Sequence, residues 1–120
     1  MSIPKIHRAY LAGPMTGLPQ HNFAAFDEGA ATLREMGLEV CSPAQLDRQF
    51  GITGYEDSKD IPTRLVQEIM LIELREISTC DIVLMLPGWE KSKGANIEKI
   101  WATLWHIPVE TFEEFLSDCH

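Results

Sequence analysis

Glu98 stands at a place in the chain where a carboxylate has a chemical use. It closes the stretch Asp81–Glu98, DIVLMLPGWEKSKGANIE. An apolar run, Ile82–Leu86, is bounded by Asp81 and by Pro87-Gly88, which suits a strand buried on both faces. A glycine-punctuated loop follows, with Trp89, Glu90, Lys91, Ser92, Lys93 and Gly94, and a helical pattern then resumes with Glu98 expected in its first turn. Strand, glycine loop and helix N-terminus together gather backbone N–H donors around an anion. Three of the ten Lys/Arg residues, Lys91, Lys93 and Lys99, fall here. A carboxylate inside such a cradle is more than anion binding needs, which marks this stretch as the place for chemistry.

The elements that must position this stretch read as alternating strands and helices. Lys5–Ala12 is expected as the first strand, ending in Tyr10-Leu11-Ala12 before the break at Gly13-Pro14. Gly13–Pro19 reads as a loop. Phe23, Phe26, Ala30, Leu33 and Met36 recur at three and four, an amphipathic helix closed by Gly37. Leu38–Cys41 is a short second strand. Residues 44–60 are polar and are expected to give a short helix and then a mobile, lid-like loop. Ile61–Thr79 is helical, with Pro62 near its start. Its apolar residues cover more than one face, which suits either a deep core position or a subunit interface. A helix over Ala95–His106, a strand at Ile107–Val109 and a final turn or two over Phe112–Leu116 complete the chain.

Strands separated by helices call for an α/β fold: a three-layer, flavodoxin-like parallel sheet with helices on both faces. In such a sheet a ligand sits beyond the carboxyl ends of the strands. The Gly13–Pro19 and Pro87–Gly94 loops then share one rim, and Tyr10 points toward that crevice or into the core.

The totals set limits. A chain of 120 residues, 45% hydrophobic and 23% charged, is expected to be a single globular domain with a real core. A net charge of −8 argues against a nucleic-acid polymer as partner, and a cationic island on an acidic chain suits a small anionic ligand. Cys41, Cys80 and Cys119 lack paired metal spacing and read as reduced thiols of a cytoplasmic protein. Cys119-His120 reads as a frayed end and not a ligand pair. With no secretory leader and no apolar run near 18 residues, the chain is expected neither to cross nor to enter a membrane.

YLAGPMTGL, the NFAAF helix start and CDIVLMLPGWEKSKGANIE resemble a small domain family of unassigned function common in phages and prophages. That family is similar to the nucleoside 2-deoxyribosyltransferase superfamily, which includes nucleoside 5′-monophosphate N-glycosidases. The resemblance covers most of the chain, least well at 44–60. It implies that Glu98 is the catalytic glutamate acting at the anomeric carbon and that Tyr10 orients it. Glu73 falls where an aspartate usually handles the base. Ser92 matches the serine of the monophosphate hydrolases, where free-nucleoside transferases carry aspartate. Lys91 and Lys93 would support a phosphate, and Gly13, with Pro14 and Met15 beside it, would bring backbone close to the ligand. Trp89 would stack on base or sugar, or close over the sheet.

Two departures weigh against base transfer. Glu73 is one methylene longer than the usual aspartate, and the tail past Val109 is short for partner-subunit contacts. The resemblance therefore implies a cofactor-free, metal-free N-glycosidase acting on a nucleoside or deoxynucleoside 5′-monophosphate, in a homodimer or larger assembly. Glu98 is expected to stay ionised at its helix N-terminus, and Glu73 to gain a raised pKa by burial and act as acid. Base exchange between deoxynucleosides is a second reading. A non-catalytic nucleotide-binding or phage accessory protein using the same pocket is a third.

Overall fold

In strand β1, Arg8–Ala12, successive side chains go to opposite faces of a sheet, and that alternation sets the layers. Ala9 and Leu11 enter one apolar cluster, with Phe23, Phe26, Ala30 and Leu33 of helix α1 (Phe23–Glu35) and Phe115 of helix α5 (Phe112–Asp118). Tyr10 and Ala12 enter the other, with Ile77 of helix α3 (Thr63–Ile77) and Ala95 and Ala102 of helix α4 (Lys93–Leu104). The computed structural model describes residues 5–118, so the Cys119-His120 expectation lies outside the described residues.

The sheet is all parallel. Its order is β2 (Glu39–Cys41), β1, β3 (Ile82–Met85), β4 (Val109–Thr111). Tyr10 is in register with Cys41 on one side and Val83 on the other. The expected α/β three-layer architecture is the one observed, and its order is that of the first four strands of a flavodoxin-like sheet. Strand β3 is buried at every residue, as a central parallel strand requires.

The two rim loops meet. A Cβ on Gly13 would lie 2.9 Å from Leu86 Cβ, so glycine is needed for the exits of β1 and β3 to approach. Pro14 packs on the turn after β3, where a Cβ on Gly88 would lie 3.3 Å from Pro14 Cγ. Asn22 Nδ2 donates to Pro14 O at 2.9 Å and fixes the first loop from below.

Several boundaries differ from the sequence reading. β1 begins at Arg8 and not Lys5, and the last strand is Val109–Thr111 instead of 107–109. Helix α2, Pro43–Gln49, is the expected short helix, and Arg48 clamps it to Asp27 of α1 with bonds of 2.9 and 2.7 Å. The segment after it is tied down. Ile52 is buried, the Glu56 carboxylate accepts from Thr53 N and Gly54 N, and His21 Nε2 lies 2.9 Å from Glu56 O. Among the described residues, no helix is long and apolar enough to cross a membrane.

Candidate active site

Three elements bring three polar side chains to one buried point. Tyr10 leaves the middle of β1 toward the α3–α4 layer. Glu73 lies on the buried stripe of α3 with Ile69 and Ile77, and Glu98 on that of α4 with Ala95 and Ala102. The helical spacings of three and four place each carboxylate among residues that must face the sheet. Tyr10 is 1% exposed, Glu73 9% and Glu98 4%. Glu73 is therefore not a solvated helix residue.

The Tyr10 hydroxyl lies 2.8 Å from Glu73 Oε2 and also bonds Glu98 Oε2. A phenol has one proton to donate. Satisfying both carboxyl groups therefore requires that one of them be protonated and donate to the phenolic oxygen. The electrostatics agree. Burial, and then the nearby Glu73 charge, hold the Glu98 carboxyl well above the usual carboxylate range. Burial also raises Glu73, opposed by its hydrogen bonds to Tyr10 and Glu98. Burial and the two carboxylates raise the Tyr10 phenol, which stays protonated. Both carboxyl groups are thus biased toward holding a proton, and the phenol joins them.

This corrects the expectation that its helix terminus keeps Glu98 ionised. Helix α4 begins at Lys93, so Glu98 is its sixth residue and lies in the second turn. The helix dipole has largely faded there, while desolvation acts in full. The same early start places Lys93 and Gly94 inside the helix instead of the loop. Gly94 lies where α3 passes closely: a Cβ there would meet Met70 Cε at 3.6 Å. The helix also stops at Leu104, and His106 takes a left-handed φ of 59° beyond it.

Ser92 is the N-cap of α4, accepting from Ala95 N at 3.1 Å, and its hydroxyl proton stays available to a ligand. Asn96 Nδ2 donates to Ser92 O at 2.8 Å and Glu90 O at 3.1 Å, which fixes the loop. Lys91 and Lys93 are exposed, with no ion pair among the described residues. Trp89 packs into the α3–α4 layer, with Lys99 Nζ 4.7 Å above its ring. Met15 packs against the α1 cluster. Gly13 packs closely on Leu86.

A cavity of about 190 Å³ opens beside the buried cluster, between the end of β2, α2 and α3. Tyr10, Glu73, Cys41, Ser42, Gln45 and Gln49 are among the residues lining it, whereas Glu98 does not reach it. Ser42 Oγ is buried there without a hydrogen-bond partner. Sequence reasoning missed this wall, and it missed Asp47. Burial and the Glu73 and Glu56 charges push the Asp47 carboxyl up to about 7, so a third carboxylate belongs to the same electrostatic cluster. The available signal was the Ser42-Pro43 pair, which starts a helix on the rim where β2 ends next to β1.

Among solved structures the chain is similar to the one titled "Solution Structure of BlsM", with 22% identity and a TM-score of 0.62. The alignment covers 86% of this chain and 62% of BlsM, so the chain spans less than two thirds of that protein's length. At this identity the likeness is one of fold. No curated protein matches the chain. Residues 7–111 match the family described as Domain of unknown function (DUF4406), and the chain belongs to that family.

Proposed function

We propose that this protein is an N-glycosidase that cleaves the base–sugar bond of a nucleoside or deoxynucleoside 5′-monophosphate. The observation that carries the reading is the Tyr10 hydroxyl bridging two buried carboxyl groups, Glu73 and Glu98. Glycosidic cleavage develops positive charge at the anomeric carbon and negative charge on the departing base. One carboxylate and one carboxylic acid, coupled through a phenol, supply both needs. Moving the Glu98 proton to the phenolic oxygen, and the phenolic proton to Glu73, leaves Glu98 anionic for the sugar and Glu73 protonated for the base. The reactive state is the one with the proton on Glu73, and the phenol is the path by which it gets there.

The base occupies the cavity lined by Glu73, Ser42, Gln45 and Gln49. The phosphate lies at the N-terminus of α4, where Ser92, Lys91 and Lys93 stand. Glu98 is 4% exposed, so in this reading the rim loops part to let the sugar reach it. No step calls for a metal or cofactor. A second copy goes with this reading, because α4 exposes Ile97, Ile100 and Leu104 along one face and α3 exposes Val66 and Leu71. So does a cytoplasmic setting, where nucleotides and reduced thiols occur together.

The test is incubation with a panel of nucleosides and their 5′-monophosphates, with and without an added free base, read by chromatography. Free base released from the monophosphates supports the reading. A new nucleoside carrying the added base would instead make the reaction base exchange. Tight nucleotide binding with no product, unchanged by Glu98→Gln, would leave only the binding role.

A further inference from the structure

Cys41 lines the cavity beside the buried site, and Cys80 is buried behind it with its sulfur facing that of Cys41. The Sγ atoms are 3.8 Å apart, and both residues are free thiols. They come from separate elements: Cys41 ends β2, in register with Tyr10, and Cys80 occupies the turn between α3 and β3. A guanidinium sits on the pair. Arg8 donates to Cys41 Sγ from Nε at 3.1 Å and from Nη2 at 2.8 Å, and Nη2 also meets Glu76 Oε2 at 2.6 Å. Cys41 Sγ lies 3.1 Å from the same Glu76 oxygen. Arg8, Cys41 and Glu76 all line the cavity that Tyr10 and Glu73 share. Two structural thiols in an apolar core would need neither the cation nor the carboxylate.

We propose that Cys41 and Cys80 are a redox-active pair that forms a reversible intramolecular disulfide and thereby rearranges the Arg8–Glu76 wall of the cavity. The oxidant is a hydroperoxide. The thiolate of the pair attacks the O–O bond and becomes a sulfenic acid, and the displaced oxygen leaves as water once protonated. The second thiol attacks the sulfenic sulfur and its proton leaves with the hydroxyl group as a second water. Two thiols and one hydrogen peroxide thus give one disulfide and two waters. A small dithiol reverses the step by exchange.

Arg8 favours thiolate formation, since a neighbouring cation stabilises the anion that reacts. Its effect falls on the pair. Cys80 is held below the usual thiol range, first by its hydrogen bond with Cys41 and then by Arg8. A disulfide bond is about 2.05 Å long, so the sulfurs have to close by less than 2 Å. As Cys41 Sγ turns to Cys80 it leaves Arg8 and Glu76, and both then lose a partner at the cavity wall.

The test uses the full-length protein and a Cys119→Ser variant, treated with hydrogen peroxide at low molar excess and then with dithiothreitol. The expected result in both is the loss of two hydrogen masses, a Cys41–Cys80 crosslinked peptide after digestion, and full return on reduction. The Arg8 Nε–H resonance should shift on oxidation and recover with it. Sulfinic acids or intermolecular crosslinks in place of that peptide would overturn the proposal, as would a crosslink that leaves the Arg8 resonance unmoved. These readouts need no substrate, so they stand or fall apart from the N-glycosidase reading.

Discussion

The Tyr10 hydroxyl and Glu73 Oε2 are 2.8 Å apart in a buried site, and Glu98 closes the same hydrogen-bonded chain. Replacing Tyr10 by Phe keeps the ring and removes the bridge. Two buried carboxyl groups then lose their common partner, which costs about 1–3 kcal/mol. Proton relay between them is lost as well, so base release should fall by about 10²-fold or more. Urea denaturation and steady-state kinetics of Tyr10→Phe check both effects. Unchanged kinetics would remove the phenol from the chemistry.

The buried carboxyl groups make stability depend on pH in a direction that can be worked out. Glu98 and Glu73 are raised by burial, and Asp47 is raised to about 7. In the unfolded chain such groups titrate near pH 4. Above that pH the folded protein holds protons that the unfolded chain has lost. Their contribution is therefore full below the unfolded values and is lost as pH rises through the folded ones. Glu56 is held to about 2 by backbone N–H donors, and Asp81 and Asp27 are also lowered, so these three lose their contribution as pH falls. The thermal midpoint should be higher at about pH 5 than at about pH 8. Glu98→Gln, an isostere of the protonated acid, should flatten the alkaline limb. Thermal scans across pH test this, and a midpoint that rises steadily to pH 8 would contradict it.

Glu73 is the residue whose length departs from the aspartate that the resemblance would place there. In this fold the extra methylene is what carries the carboxylate to Tyr10. Glu73→Asp should therefore open the 2.8 Å contact and misplace the acid, lowering base release by about 10²-fold while costing about 1 kcal/mol of stability. Kinetics of that variant beside Glu73→Gln separate reach from charge. An aspartate variant as active as wild type would show that the Tyr10 contact is dispensable.

Gly13 links the two rim loops through packing. A methyl group there would meet Leu86 Cβ at 2.9 Å, backed by Phe26 Cζ at 3.4 Å. Leu86 is 3% exposed and has nowhere to yield, so Gly13→Ala should cost about 1–3 kcal/mol. Chemical denaturation measures it. A cost near zero would mean that the exits of β1 and β3 separate easily.

Much of this arrangement was legible in the sequence because it rests on local pattern. The buried run 82–86, the spacing of Phe23, Phe26, Ala30 and Leu33, and the glycine-proline breaks after both strands were enough for a parallel sheet and a shared rim. The start of α4 was misread because Lys91–Gly94 has loop composition, and the capping role of Ser92 shows only in its bond to Ala95 N. The raised pKa of Glu98 was not legible, since it depends on how deeply the carboxylate is desolvated. The role of Asp47 and the pairing of Cys41 with Cys80 were not legible for a related reason: each rests on a partner at least 25 positions away in the chain, and periodicity does not report such contacts.

The most direct measurement compares base release from nucleoside 5′-monophosphates by the wild type and by Glu98→Gln, each shown to be folded by its thermal transition. Glutamine reproduces the shape of the protonated acid but cannot become the carboxylate that the sugar requires. The account predicts free base from the wild type and a loss of about 10³-fold or more in the variant. Equal release by both proteins, or release by neither at enzyme concentrations comparable to substrate, would contradict it.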